Sequence, residues 1–229
     1  MPKELDVTRQ FIVLSGEAGA GKDSVAKVLE EHHGFFMYSL STSMKAFAGE
    51  VFGFTDDQLY GPSRSRNEPD PRWARPCPNC DATRPGNCFT HCCDTCAGTG
   101  KLNDNSPRRI LQLLGDEWAR QMIHPDIWTM AARPHLERLL GAGKRIVIND
   151  ARFENDRTNL HDWLGADRVD IQTPNKKKDG AAWRLHGSEM SRPSRTNLEY
   201  VLTNDEDYPF PNLDVKVQLM INSLYPAAA

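Results

Sequence analysis

Phe11-Ile-Val-Leu-Ser-Gly16-Glu-Ala-Gly-Ala-Gly21-Lys22-Asp-Ser24-Val-Ala-Lys-Val-Leu29 is the stretch that decides the fold. Residues 11–14 are apolar and partly β-branched, which reads as a short buried strand. Val25, Ala26, Val28 and Leu29 recur at helical spacing, and Gly34 can end that helix. Between them lies a turn made mostly of glycine and alanine. A chain of phosphates presents crowded oxyanions, which need main-chain N–H groups turned inward. Side chains on the turn would block that approach, and the following helix points its positive end at the anion. The strand–turn–helix context therefore marks Gly16, Ala18, Gly19, Ala20, Gly21, Lys22, Asp23 and Ser24 as a cradle for the phosphates of a nucleoside triphosphate. Lys22 is expected to reach the β- and γ-phosphates. The usual pattern places Ser or Thr directly after the lysine as a ligand for Mg²⁺. Here Asp23 holds that place and Ser24 follows; both offer hard oxygen, so either can serve the metal.

Outward from this stretch, strands and helices alternate. Residues 35–38 read as a strand, and residues 42–52 as a helix with Met44, Phe47, Ala48 and Val51 on one side. Ser106-Pro107 is a helix start, followed by Ile110, Leu111, Leu114, Trp118 and Met122 at helical spacing; both Trp118 and Trp128 are expected in the core. Asp126 can cap a further helix that reaches Leu140, with a kink or break expected at Pro134. Residues 144–150 and 168–172 read as strands around a helix over 153–164. Residues 200–202 read as a last strand, with a weakly patterned element over 213–224. The alternation predicts an α/β fold with a mainly parallel sheet flanked by helices. Ile146-Val-Ile-Asn-Asp150 puts an acidic residue at the end of an apolar strand, the position from which Asp150 can serve the Mg²⁺ of a bound triphosphate.

The chain has 229 residues and a formal charge of 28 − 31 = −3. With 39% hydrophobic and 26% charged residues it has the composition of a soluble globular protein, expected here as one domain over 1–229 carrying an insert. No apolar run approaches the roughly 18 residues that span a bilayer. The amino-terminal MPKELDVTRQ lacks the apolar core of an export signal, so a cytoplasmic location is expected, or the host cytoplasm for a phage-encoded chain. The near-neutral charge excludes a wholly basic nucleic-acid binder but leaves room for a local basic groove.

All six cysteines fall between Cys77 and Cys96, next to a proline-rich stretch (Pro62, Pro69, Pro71, Pro76, Pro78, Pro85) through which no regular helix can run. Cys77-Pro-Asn-Cys80 and Cys93-Asp-Thr-Cys96 form two knuckles with 12 residues between them. Two such pairs complete a tetrahedron around one structural Zn²⁺. Cys88, His91 and Cys92 are spare, and one of them can replace a ligand. The segment 62–104 thus reads as a zinc-binding insert. Arg64, Arg66, Arg72, Arg75 and Arg84 give it a basic tilt that allows DNA contact, although a solvated charged loop explains them as well.

Several ordered blocks resemble the bacteriophage-type deoxynucleoside monophosphate kinases, which have a P-loop kinase core. They are Gly-Ala-Gly-Lys-Asp-Ser (19–24), Ser-Met-Lys-Ala-Phe-Ala (43–48) with Val-Phe-Gly-Phe (51–54), and Leu-Leu-Gly-Asp-Glu-Trp-Ala-Arg-Gln-Met-Ile-His-Pro-Asp-Ile-Trp (113–128). Ile-Val-Ile-Asn-Asp-Ala-Arg-Phe-Glu-Asn (146–155) and His-Gly-Ser-Glu-Met-Ser (186–191) complete the set. The resemblance implies transfer of the γ-phosphoryl of ATP, with Mg²⁺, onto a deoxynucleoside monophosphate. It implies that Lys45 contacts the acceptor, that Arg120 and Arg152 clamp phosphates, and that Arg184, His186 and Glu189 lie in a closing segment over 183–195, in which Arg184, Arg192 and Arg195 flank the His-Gly-Ser-Glu stretch. The insert departs from the compact members of that family. Two other readings remain open: a kinase acting on a hydroxylated base within DNA, and a non-catalytic nucleotide- or DNA-binding module. Oligomeric state is open, a homodimer included.

Overall fold

A computed structural model of the protein describes residues 10–17, 19–80, 93–97, 99–173, 198–204 and 211–226. The chain divides into two compact units, one of residues 1–42 with 118–229 and one of residues 43–117. The segment expected as an insert, 62–104, falls within the second.

The first unit is built on five strands: β1 (Phe11–Ser15), β2 (Phe36–Tyr38), β5 (Ile146–Ile148), β6 (Asp167–Gln172) and β7 (Tyr200–Thr203), numbered so that β3 and β4 belong to the other unit. Their order is β2-β5-β1-β6-β7, and every pairing is parallel. Successive side chains of a strand point to opposite faces, so the sheet carries two cores. Ile12, Leu14, Val147, Val169, Ile171 and Leu202 pack with Val25, Ala26 and Leu29 of α1 (Lys22–His33) and with Val217 and Met220 of the last helix, α8 (Leu213–Leu224). Phe11, Val13, Ile146 and Ile148 face the other way. They pack with Leu136 and Leu140 of α6 (Ile127–Gly141) and with Leu160 and Leu164 of α7 (Glu154–Leu164). A sheet covered on both faces needs near-continuous apolar strands, and all five residues of β1 are buried. The expected α/β class holds.

α1 stops where Gly34 turns left-handed, at φ 65°. α6 runs through Pro134 rather than breaking there; a proline removes one ladder bond and clashes with the preceding turn, and here the burial of Ala132, Leu136 and Leu140 outweighs that cost. Leu113–Ile123 is a π-helical stretch. Its wider winding carries Trp118 and Met122 off the buried side, leaving them 47% and 78% exposed. The expectation that Trp118 is core therefore fails, whereas Trp128 is partly buried against the α6–α7 core. Arg120, on that stretch, donates through Nη2 to both carboxylate oxygens of Asp156 at 2.8 and 2.9 Å. Its Nη1 donates to Pro125 O at 2.7 Å, and the guanidinium stacks on Phe153. Asp156 also accepts from Phe153 N, which caps α7.

The second unit holds α2 (Thr42–Phe52, from residue 43), α3 (Asp56–Tyr60), α4 (Ser63–Asn67), a 3₁₀ turn (Pro71–Trp73) and α5 (Pro107–Gln112). Thr55 and Gln58 form a reciprocal capping box at the start of α3. α4 fits its five residues between Pro62 and Pro69, so the proline-rich stretch does hold one short helix. Ala48, Phe54, Leu59 and Ile110 form the core, flanked by Phe52 and Trp73, whose rings meet edge to face. β3 (Arg75–Pro76) and β4 (Lys101–Leu102) pair antiparallel beneath the cysteine knuckles. Among the described residues no helix is long and apolar enough to cross a membrane.

The Arg120–Asp156 pair is nearly dry, with side chains 9% and 1% exposed. Removing one partner of such a pair strands the other charge. Asp156→Ala is therefore expected to lower the unfolding free energy by about 3 kcal/mol or more, measured by urea denaturation; a change below about 1 kcal/mol would mean the pair is solvated.

Candidate active site and metal centre

Because the strands are parallel, their carboxyl ends share one edge, and open α/β sheets bind ligands outside that edge where the strand order reverses. In the order β2-β5-β1-β6-β7 the chain leaves β1 for β2 on one side and later crosses to β6 on the other, so the reversal falls at β1. The glycine-rich turn begins there. Gly16 has φ 139°, and a Cβ on it would lie 2.4 Å from Ile171 O of β6. Gly19 and Gly21 also have positive φ, at 78° and 94°. Ala20 is buried, and its N–H donates to Glu17 O at 3.0 Å. Gly21 opens α1 through a bond from Val25 N to its carbonyl at 2.9 Å. Ala18 lies outside the described residues.

Lys22 is the first residue of α1, and its ammonium folds back over the turn, donating to Gly16 O at 2.8 Å and Glu17 O at 2.9 Å. Burial, then the nearby Arg152 guanidinium, pulls its pKa down to about 8, and Asp23, Asp170 and Glu17 only partly offset this. Lys22 at the head of the helix thus feels a second cation, and an anion nearby would favour its charged form.

Asp23 is exposed at the front of α1, and its Oδ1 accepts from Asn149 Nδ2 at 2.7 Å, just after β5. Ser24 is half-buried on the same turn. Asp150 spends its carboxylate on the chain leaving β2: Oδ1 accepts from Leu40 N at 2.9 Å, and Oδ2 from Ser39 Oγ at 2.5 Å and Ser41 N at 3.1 Å. A carboxylate has about four acceptor sites, so Asp23 is the more open oxygen donor of the two. The structure thus gathers the turn, Lys22, Asp23, Ser24, Asp150 and Arg152 at one edge. Arg120, in the same unit, points its guanidinium at Asp156 and Pro125 instead. Lys45 lies in the other unit, with its ammonium 4.5 Å from the Tyr60 ring centroid. Arg184, His186, Glu189, Arg192 and Arg195 fall outside the described residues.

Sequence reading missed Asp170 of β6. It is 4% exposed, accepts from Ser15 Oγ at 3.2 Å and Gln172 Nε2 at 3.1 Å, and is one of the acids in the field of Lys22. The available signal was a charged residue inside the apolar alternation Val169-Asp170-Ile171.

In the second unit the sulfurs of Cys77, Cys80, Cys93 and Cys96 lie within 4.8 Å of one another. Cys77 Sγ stands 3.6 Å from Cys93 Sγ, and Cys80 Sγ 3.5 Å from Cys96 Sγ. A tetrahedron with Zn–S bonds of about 2.3 Å has edges of about 3.8 Å, so the four thiols fit one ion. Bonds from Cys80 N to Cys77 O and from Cys96 N to Cys93 O fold each knuckle, and Gly100 N donates to Cys96 Sγ at 3.3 Å. These residues could hold a metal such as zinc. Cys88, His91, Cys92 and Arg84 lie outside the described residues. Of the other basic residues there, Arg72 pairs with Asp70 and Arg75 with Asp104, so both charges are largely spent within the unit.

Two outcomes follow from this geometry. The purified protein is expected to carry one zinc per chain by elemental analysis, and Cys96→Ser to lose it; a full complement in that variant would mean other ligands hold the ion. An anion on the turn would favour the charged form of Lys22, so the affinity for a phosphate anion there is expected to fall as pH rises through about 8. Equilibrium binding between pH 7 and 10 checks this, and Lys22→Arg should flatten the alkaline limb.

No family model matches the chain. It is similar to a protein of Acanthamoeba polyphaga mimivirus described as "Putative deoxynucleotide monophosphate kinase", 26% identical over 205 residues that cover 86% of this chain and 89% of that protein. That name agrees with the kinase resemblance carried by the ordered sequence blocks.

Proposed function

We propose that the protein transfers the γ-phosphoryl of ATP to a deoxynucleoside monophosphate. The observation that carries this reading is a turn whose glycines leave its main chain bare, with the Lys22 ammonium at the head of α1 folded back over it. Phosphoryl transfer asks a protein for positioning and charge neutralisation more than for covalent chemistry. In this reading the N–H groups of the turn and the end of α1 hold the phosphates of the donor. Lys22 exchanges its bonds to Gly16 and Glu17 for phosphate oxygens, and Arg152 faces the charge that builds on the transferred group. Asp23, with Ser24 beside it and Asp150 behind, supplies oxygen ligands for Mg²⁺, which when bound neutralises phosphate charge. Asp150 also fixes the 39–41 corner after β2. Arg120, expected as a phosphate clamp, enters as the residue that ties the π-helical stretch to α7, and Lys45 remains the candidate contact to the acceptor. The cysteine centre is assigned a structural zinc, since a site closed by four thiolates leaves no position for substrate.

Incubation with ATP, Mg²⁺ and each of the four natural deoxynucleoside monophosphates is expected to yield a diphosphate from at least one. No diphosphate from any would overturn the reading. Lys22→Ala should lower turnover about a hundredfold or more, and wild-type turnover in that variant would place the site elsewhere.

A further inference from the structure

Asn204 follows β7, and its main-chain N–H donates to Gln172 O of β6 at 2.7 Å. The carbonyl before that one, Ile171 O, is where Gly16 backs onto the strand. β6 lies between β1 and β7, so its end holds the start of the turn on one side and Asn204 on the other. The side chain of Asn204 then closes on the turn: a Cβ on Gly21 would lie 2.7 Å from its Nδ2.

Two sets of donors meet at that point. Gly21 precedes the first residue of α1, and no side chain caps that helix; the first N–H groups of a helix have no partner within it. Beside them stands the carboxamide. Asn204 is 2% exposed, and among the described residues nothing accepts a hydrogen bond from its Nδ2. A buried donor left unpaired costs free energy, which a leucine of the same size would avoid. Such a group, set against the mouth of a helix, points to an acceptor that the chain does not itself supply.

We propose that Asn204 is a further phosphate-binding residue, its Nδ2 donating to an oxygen of the phosphate chain seated at the head of α1. The proposal deepens the nucleotide reading of this edge and rests on it. The chemical class of the acceptor follows from what surrounds Nδ2. The positive end of α1 and the Lys22 ammonium both favour an anion. Phosphate oxygens carry enough lone pairs to accept from main-chain N–H groups, an ammonium and an amide together. An amide bond to a charged oxygen is stronger than one to a neutral acceptor. A carboxamide also adds a donor without adding another positive charge beside Lys22. Because β6 holds both the turn and Asn204, the donor is in place before the ligand arrives, which spares ordering entropy.

The test uses inorganic tripolyphosphate, which offers phosphates and no base. Its equilibrium binding is measured on the full chain and on Asn204→Leu and Asn204→Ala. Both variants are expected to bind it about tenfold more weakly, and to lose the same factor for ATP. In the wild-type chain the Asn204 side-chain amide, identified by its absence from the nitrogen-15 NMR spectra of both variants, is expected to move downfield as tripolyphosphate saturates the site. Unchanged tripolyphosphate affinity in both variants overturns the proposal. So does an amide resonance that stays in place at saturation, since any loss of affinity would then come from a support of the turn. If the wild-type chain binds neither tripolyphosphate nor ATP, the nucleotide reading itself falls and takes the proposal with it.

Discussion

The turn after β1 lies against the main chain of β6 so closely that Gly16 has no room for a side chain: a Cβ there would meet Ile171 O at 2.4 Å. This contact sets the path of the turn. From it follow the position of Gly21, the start of α1 and the direction in which Lys22 leaves the helix. Parallel pairing of β1 with both β5 and β6 holds the contact in place. It also brings Asn149, Asp150 and Arg152 to the same edge. The strands contribute little chemistry of their own; their order decides which polar residues stand side by side.

The charges gathered at that edge do not balance in a comfortable way. Lys22 is half-buried, and the charge of Arg152 acts on its ammonium, while Asp23, Asp170 and Glu17 only partly compensate. Its bonds to the carbonyls of Gly16 and Glu17 keep the charge satisfied in the absence of an anion. Carbonyl dipoles are weaker partners for a cation than phosphate oxygens, so the lysine can be drawn off the turn by an anion without first breaking an ion pair. Arg120 is held differently. Donation from its Nη2 to both oxygens of a buried carboxylate and stacking on Phe153 fix it far more firmly, and moving it would strand Asp156. The two cations sit in similar motif blocks, and their partners separate their roles.

The sequence made the local parts of this site legible and left the long-range parts hidden. Strand, bare turn, lysine and helix are consecutive, so 11–29 reads directly. The same holds for the apolar run ending at Asp150 and for the two knuckles at 77–80 and 93–96. The bond between Arg120 and Asp156 joins residues 36 apart in the chain, and no spacing announces it. The π-helical stretch was hidden because apolar spacing reports which residues could share a face, not which carbonyl each N–H selects. His124 N reaches back five residues to Ala119 O, and the apolar positions of Trp118 and Met122 then no longer line up with the core. Asp170 and Asn204 look like ordinary polar residues in or after short strands. Only the sheet order places one near Lys22 and the other beside Gly21.

The unit of residues 43–117 raises a separate question of how it holds together. Its core has Ala48, Phe54, Leu59 and Ile110 as the buried apolar residues, and a core of that size supplies only a few kcal/mol at most. The ladder beneath the cysteines pairs Arg75 with Leu102 and Pro76 with Lys101 alone, and so short a hairpin is not stable in water. Side-chain bonds help: Asp70 draws in Arg72 and Gln58, and Asn105 Nδ2 reaches Trp73 O at 2.9 Å. Across the knuckles Asn79 Nδ2 donates to Thr95 Oγ1 at 2.8 Å, and Cys77 N donates to Gly100 O at 2.9 Å. Four sulfurs spaced for one ion could add a stronger tie, because the free energy of binding a structural metal is folding free energy for the segment that carries its ligands. The same argument would suit a segment so rich in proline and so poor in apolar residues: a loop closed by an ion would need no core of its own.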